Sequence, residues 1–311
     1  MIDASGTWTS PNPLGAGGVP VEGERELAQH ISTGIPDVLG RDRALFEGRV
    51  AAVVGAGHSA ANVLIDLARL AERHPRTGAL WIVRGSNLAR VYGGGAADKL
   101  PARGELGAHL RELVESGRVT LVTGFAASAV RAEGERVILE GETEAGTRTV
   151  GPVDRIVVAT GQRPELAMCR ELRLELDPWL ESARALGPMI DPNLHSCGSV
   201  PPHGHRELSH PEPGFYTVGV KSYGRAPTFL MMTGYEQVRS VAAAIAGDTA
   251  AADDVRLVLP ETGVCTTERI TTSGTSGCCG GPAAAETDAC CVADAEARMA
   301  TGKGCGCGSA A

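Results

Sequence analysis

Aromatic residues are scarce in this chain. Phe, Tyr and Trp make up 4% of its 311 residues, so a core must be built from Val, Leu, Ile and Ala. Long apolar runs are missing too: none approaches the ~20 residues that a membrane-spanning helix requires, and no membrane role is expected. The N-terminus has no basic stretch followed by an apolar core, so no secretory signal is visible. Positive charge is not in excess either. A formal net charge of −8 and a pI near 5.5 argue against a nucleic-acid surface. These absences leave a cytoplasmic protein acting on a small molecule as the default. The length gives room for about two domains.

The nine cysteines are unevenly spread. Cys169, Cys197 and Cys265 are scattered, while Cys278, Cys279, Cys290, Cys291, Cys305 and Cys307 crowd the C-terminus. In a chain without an export signal, such clustering points to metal or metalloid ligation, or to redox exchange, more than to a disulfide scaffold. Soft thiolates select soft ions such as Cu(I), Zn(II) or trivalent metalloids. After Gly247-Asp248 the composition shifts to Ala, Thr, Gly, Ser and Cys, and roughly 265–311 reads as a flexible tail with too little apolar mass for a core. Thiol binding by these six residues and an inert low-complexity tail both remain open.

The centre of the chain alternates strand and helix signals. Residues 49–54, 80–83, 119–122 and 155–159 are short apolar runs that read as buried strands. Residues 59–73 and 104–115 carry apolar positions at helical spacing, and residues 127–140 and 147–150 read as a small antiparallel excursion. Residues 24–48 read as a mixed connector, 215–219 as one further strand and 233–246 as a closing helix. The alternation predicts an α/β fold with a parallel, doubly wound, Rossmann-like sheet.

Within that pattern stands Val53-Val54-Gly55-Ala56-Gly57-His58-Ser59-Ala60. An apolar run enters it and a helical run leaves it, the context in which G-x-G-x-x-G/A marks a dinucleotide site. The first glycine permits the tight turn. The second lets backbone approach a pyrophosphate, and the small Ala60 lets helix and strand pack closely. The phosphates would sit on the free N–H groups and the positive dipole end of the helix. The second strand then runs into Arg84 where NAD-specific sites place an acid. A guanidinium pairs with a 2′-phosphate that a carboxylate would repel, so NADP(H) is favoured over NAD.

Two later segments add to this. Ala159-Thr160-Gly161-Gln162-Arg163-Pro164 resembles the A-T-G-x-R-P segment of two-dinucleotide flavoproteins, and Gly214 to Gly247 resembles their C-terminal flavin segment. The chain from 1 to about 260 therefore resembles FAD/NAD(P)-dependent oxidoreductases of the pyridine-nucleotide-disulfide oxidoreductase and flavin-monooxygenase superfamily. The stretch Phe46-x-Gly48-Arg49-Val50 looks most like the monooxygenase-type NADPH domain. The Asp3-Ala4-Ser5-Gly6-Thr7-Trp8 start and the Cys-rich tail look like flavoproteins associated with arsenic resistance.

The resemblance implies residues 36–165 as an NAD(P)-binding domain inserted into a FAD-binding domain. Residues 1–35 would be a remnant and linker of that second domain, 166–260 its C-terminal part, and 261–311 the tail. Ile2 to Gly6 would be the strand that closes the first half of the FAD domain, whose glycine turn would lie upstream. On this reading the FAD-binding domain is incomplete, and the DNA before Met1 would encode the rest. Thr160, Gly161, Gly219 and Val220 would border the nicotinamide–flavin junction, although the family usually has Asp where Val220 stands. No C-x-x-C lies between residues 36 and 165, so dithiol chemistry is not expected there.

The expected reaction is hydride transfer from NADPH to FAD, with oxygen, a thiol or a metalloid as acceptor. A NADP-binding module without flavin and a thiol-based metalloid-binding protein are the alternatives. His195, His203, His205 and His210 share one Pro/Gly-rich loop with Cys197 and admit either a metal site or a loop bordering the flavin. Lys221, Tyr223 and Arg225 either face the flavin or lie in solvent.

Overall fold

The computed structural model describes residues 1–93, 101–195 and 199–259, except for the side chains of Arg90, Pro101 and Ala102. Cys197, Cys265 and the six clustered tail cysteines lie outside the described residues.

The chain opens with the two-residue strand β1 (Ile2–Asp3) and, after a long loop, the short strand β2 (Ile31–Thr33). The central α/β unit begins with β3 (Val50–Val54), α1 (His58–Arg73) and β4 (Gly78–Ile82). It continues through α2 (Ala89–Tyr92), α3 (Pro101–Glu115) and β5 (Thr120–Val122). An antiparallel meander of β6 (Ala126–Glu133), β7 (Arg136–Thr143) and β8 (Gly146–Val153) leads into β9 (Arg155–Val158).

Strands β2, β9, β3, β4 and β5 form one five-stranded sheet in that order, every pair parallel. Both faces of such a sheet must be covered, which is why β3 and β9 read as unbroken apolar runs instead of alternating ones. On one face α1 presents Ala60, Val63, Leu64 and Leu67 to a core shared with Trp81 of β4 and with Leu110 and Leu113 of α3. The other face carries no helix. There Ala52, Val54, Ile82, Ile156 and Val158 pack against Val130, Val137 and Leu139 of the meander. The connection from β5 to β9 thus crosses the second face as an antiparallel sheet, in the place where a helix would stand in a doubly wound fold.

The segment expected as a connector, 24–48, contributes β2 as the edge strand of this sheet, in register with β9. Two half-buried residues and an exposed one carry no periodic signal, so the pairing partner and not the local sequence makes this strand.

The C-terminal part is loop-rich. It contains α4 (Gly187–Ile190), β10 (Tyr216–Thr217), α5 (Met231–Ile245) and α6 (Thr249–Asp253). Strand β10 pairs in parallel with β1, joining residues more than 200 positions apart. The strand expected at 215–219 stops after Thr217. Gly219 has φ +71°, which extended backbone cannot adopt, and a 3-10 turn runs from Gly219 to Tyr223. Leu186, Ile190, Leu208, Val218, Tyr223 and Val241 form a separate small core behind it. Among the described residues no helix is long and apolar enough to cross a membrane.

Candidate functional site

The glycine turn is held from two sides. Gly55 has φ +138°, and a Cβ there would lie 2.2 Å from the carbonyl oxygen of Ala159, at the end of the neighbouring β9. No side chain fits. From β4, the buried indole of Trp81 donates a hydrogen bond to the Gly55 carbonyl at 2.8 Å. The sequence reading did not single out Trp81. Its position one strand over, three residues after the start of β4, is the signal that could have found it.

Gly57 has a different role. It caps α1 with ordinary extended backbone (φ −103°, ψ 175°) and no capping side chain, and a Cβ there would meet nothing within 4 Å. Space lies open in front of it. Ala56 and His58 are exposed, Ser59 is half-buried and Ala60 is fully buried against the sheet. The first turn of α1 contains no acidic residue. Its leading N–H groups lack intrahelical acceptors, so this end is electropositive and suited to an anion.

A cleft of about 360 Å³ opens at the C-terminal ends of β3, β4 and β9, lined by Asn12, Gly55, Ala56, Arg84, Phe125 and Thr160 among others. The chain leaves β3 to one side toward β4 while β9 lies on its other side. That is the switch point at which open α/β sheets bind ligands. Arg84 lies just past β4. Its Nη1 donates to the Ala16 carbonyl at 2.8 Å. Among the described residues no carboxylate forms an ion pair with it.

Thr160 and Gly161 latch the N-terminal loop over this cleft. The Thr160 hydroxyl contacts the carbonyls of Asn12 and Pro13, each at 3.1 Å. The Asn12 side-chain amide donates to the Thr160 carbonyl, and the Asn12 N–H donates to the Gly161 carbonyl at 3.0 Å. The Asn12 Oδ1 is buried without a partner.

Gly219 and Val220 do not line this cleft. The Gly219 N–H is already bonded to Gln237 Oε1 at 2.9 Å, and the Gln237 amide donates in turn to Ser222 Oγ at 2.9 Å. Its nitrogen also lies 3.2 Å from His203 Nε2. His203 Nδ1 lies 2.9 Å from the Pro201 carbonyl, which can only accept, so Nδ1 carries the proton and Nε2 is the acceptor. Burial pushes the His203 pKa down and keeps the ring neutral.

Lys221 is buried, and it faces neither solvent nor the cleft. Its Nζ forms an ion pair with Asp3 Oδ2 at 2.7 Å and bonds Ser5 Oγ at 2.9 Å. The Cys169 thiol reaches the same carboxylate oxygen at 3.6 Å. Burial pulls the Asp3 carboxyl upward, but its bonds to Lys221 and Ser5 outweigh this and leave it below its ordinary range. Burial, then the Asp3 charge, pushes the Cys169 thiol up, so it is held as an unreactive thiol. Tyr223 is also fully buried, whereas Arg225 does line the cleft.

The loop histidines disperse. His205 meets Asp253 at 2.8 Å, and His210 accepts from the Glu175 N–H and lies against Phe215. Among the described residues no group of three His, Cys, Asp or Glu side chains could hold a metal ion.

No protein-family profile matches the chain, and no curated protein matches it. Solved structures do. Bacillithiol disulfide reductase Bdr from Bacillus cereus superposes with a TM-score of 0.52 at 14% identity, covering 79% of this chain and 61% of that one. Bdr from Staphylococcus aureus gives 0.54 at 13%, covering 79% and 62%. Reduced CoADR-RHD from Bacillus anthracis gives 0.50 at 17%, covering 82% and 38%. Identities this low show a shared fold. The chain therefore shares the fold of these structures, as its motifs led us to expect, and it spans less than two thirds of the length of each.

Proposed function

We propose that this chain is the NADPH-binding unit of a flavin-linked pyridine-nucleotide oxidoreductase that works in the cytoplasm on a small molecule. The observation that carries this reading is the open space in front of Gly57 at the positive end of α1. Gly55, Ala56, Gly57, His58, Ser59 and Ala60 would hold the pyrophosphate by backbone N–H groups. Arg84 would pair with the 2′-phosphate, exchanging its bond to the Ala16 carbonyl for a charge-assisted one. Thr160 and Gly161 would fix the floor of the cleft through Asn12. When bound, the nicotinamide supplies a hydride, and the protein's part is to orient it and to exclude water.

The flavin finds less support in these residues. The Gly219 N–H has a partner, Val220 offers no polar atom in its side chain, and among the described residues Gly55–Ala60 is the sole G-x-G-x-x-G/A turn between a strand and a helix. The same observations favour a second reading, in which this chain binds NADP without flavin and without catalysis. A link to metalloid or arsenic detoxification would run through Cys278, Cys279, Cys290, Cys291, Cys305 and Cys307, and a monooxygenase-like acceptor step would need a bound flavin.

Titration of the purified chain with NADPH and NADH tests the core of the reading. We expect tighter binding of NADPH, a preference removed by Arg84→Ala, worth about 1.5–3 kcal/mol for a hydrogen-bonded charge pair. Gly57→Ala should weaken both nucleotides about tenfold or more while leaving the unfolding midpoint unchanged, because its Cβ enters ligand space and not protein. Equal affinity of the wild type for both nucleotides would remove the role of Arg84, and no affinity for either would overturn the reading. An absorbance band at roughly 450 nm, as oxidised flavin shows, decides between the flavin-linked reading and the module. Removing residues 265–311 should abolish arsenite binding and spare NADPH if the tail thiols act.

A further inference from the structure

The parallel strands all start at one end of the sheet, opposite the cleft. Charge gathers there. Arg49 directly precedes β3, and Arg155 is the first residue of β9. The hairpin that joins β6 to β7 adds Arg136. These three arginines line a second cavity, of about 560 Å³, which shares no residue with the cleft at Arg84.

Arg155 is the unusual member. It is only 9% exposed, yet among the described residues no carboxylate pairs with it. Its Nη1 donates to the Gln29 carbonyl and its Nη2 to Ser32 Oγ at 3.0 Å, both neutral acceptors. Its Nε is buried without a partner. Burial, then the charge of Arg49, pulls its pKa below the ordinary arginine value, and no carboxylate counters either effect. A charge this deep is ordinarily paired with an opposite one. The acids of the cavity do not supply it. Asp154 Oδ2 accepts from the Val50 N–H at 2.8 Å, while Glu133 and Glu135 stand exposed on the hairpin. Arg49 and Arg136 are exposed as well, and among the described residues neither forms an ion pair. Arg136 lies directly across the hairpin from Glu133 without an ion pair to it.

We propose that this cavity binds a phosphate group, free or carried by a small metabolite, with Arg155 at its base and Arg49 and Arg136 at its rim. A phosphate supplies the opposite charge that Arg155 lacks and offsets its repulsion with Arg49. Guanidinium forks match phosphate oxygens bidentately. Glu133 and Glu135 restrict the ligand to one phosphate, because they would repel a second, and they can accept from its hydroxyl groups.

Isothermal titration calorimetry of the full chain tests this, with inorganic phosphate and glycerol 3-phosphate as probes. Sodium chloride at equal ionic strength is the reference. The positive end of α1 also suits phosphate, so the titrations are made in Gly57→Ala as well as in the wild type. Binding with a Kd of about 1 mM or below should persist in Gly57→Ala. Adding Arg49→Gln and Arg136→Gln together should weaken it about tenfold or more, with circular dichroism unchanged because both side chains are exposed. Arg155→Lys, which keeps the charge and loses the fork, should weaken it too. Tighter binding of glycerol 3-phosphate would assign the site to a phosphate ester, and tighter binding of inorganic phosphate to the free ion; either upholds the site. No binding in Gly57→Ala, unchanged affinity after the Arg49→Gln and Arg136→Gln exchange, or heats that sodium chloride reproduces would each overturn the inference.

Discussion

The two halves of the molecule are stabilised by different physics. The half built on the five-stranded sheet has apolar layers on both faces, and its stability scales with buried area. The C-terminal part has a smaller apolar core and is tied together by polar contacts: Lys221 to Asp3, Gln237 to Gly219 and Ser222, Arg239 to Glu236. The difference separates two ways of specifying a shape. Burial tolerates exchange among residues of similar volume, whereas a buried ion pair tolerates neither partner alone.

The sharpest way to break the comparison is at Asp3. Asp3→Ala leaves Lys221 charged and buried without a counter-ion, and should cost about 3–5 kcal/mol in urea unfolding. Replacing both partners with apolar residues, Asp3→Val with Lys221→Met, should recover most of that loss. Failure to recover it would mean that the pair is not what joins β1 to the turn after β10.

The half built on the five-stranded sheet should break in a different manner. Gly55→Ala forces a Cβ onto the Ala159 carbonyl and an unfavourable φ on a non-glycine residue. Strain at such positions costs about 1–3 kcal/mol, and the loss should appear as reduced stability together with lost nucleotide affinity. Gly57→Ala, two residues on, should touch affinity alone. A stability loss at Gly57 equal to that at Gly55 would erase the distinction between the glycine the fold needs and the glycine the ligand needs.

The smallest effect is a pH dependence confined to the C-terminal network. Burial sets the folded-state pKa of His203 below its ordinary 6.5, so the unfolded chain takes up this proton first as pH falls. The stability it contributes is complete above pH ~6.5 and is lost as pH drops from there through the folded-state pKa. The slope contributed is at most about 1.4 kcal/mol per pH unit for one proton. Denaturant midpoints between pH 8 and 5.5 should fall in the wild type and fall less in His203→Gln. Parallel curves would show that His203 is not the group responsible.

How much of this was legible follows the same division. Val50 to Val54, the Gly55–Ala60 turn and the stripe of α1 could be read because strand, turn and helix signals are local and agree with one another. The meander was visible for the same reason. Strand β2 was not, because its existence depends on β9, more than 120 residues later. The polar anchors were invisible for a related reason. A lone lysine after a strand reads as a surface charge, and nothing local to Lys221 indicates that Asp3 lies beside it. At the site, Arg84 was found at the cleft from its strand-end position. Trp81 and Asn12 were missed because each acts through a backbone group that sequence does not locate.

The bond from Trp81 to Gly55 has an optical consequence. Of the chain's three tryptophans, Trp8 and Trp179 are exposed, and Trp81 alone is enclosed, with its indole N–H on the glycine turn itself. The blue edge of the protein's emission should therefore come from the residue that grips the glycine turn. Any ligand that shifts that turn writes its arrival into the fluorescence without a label.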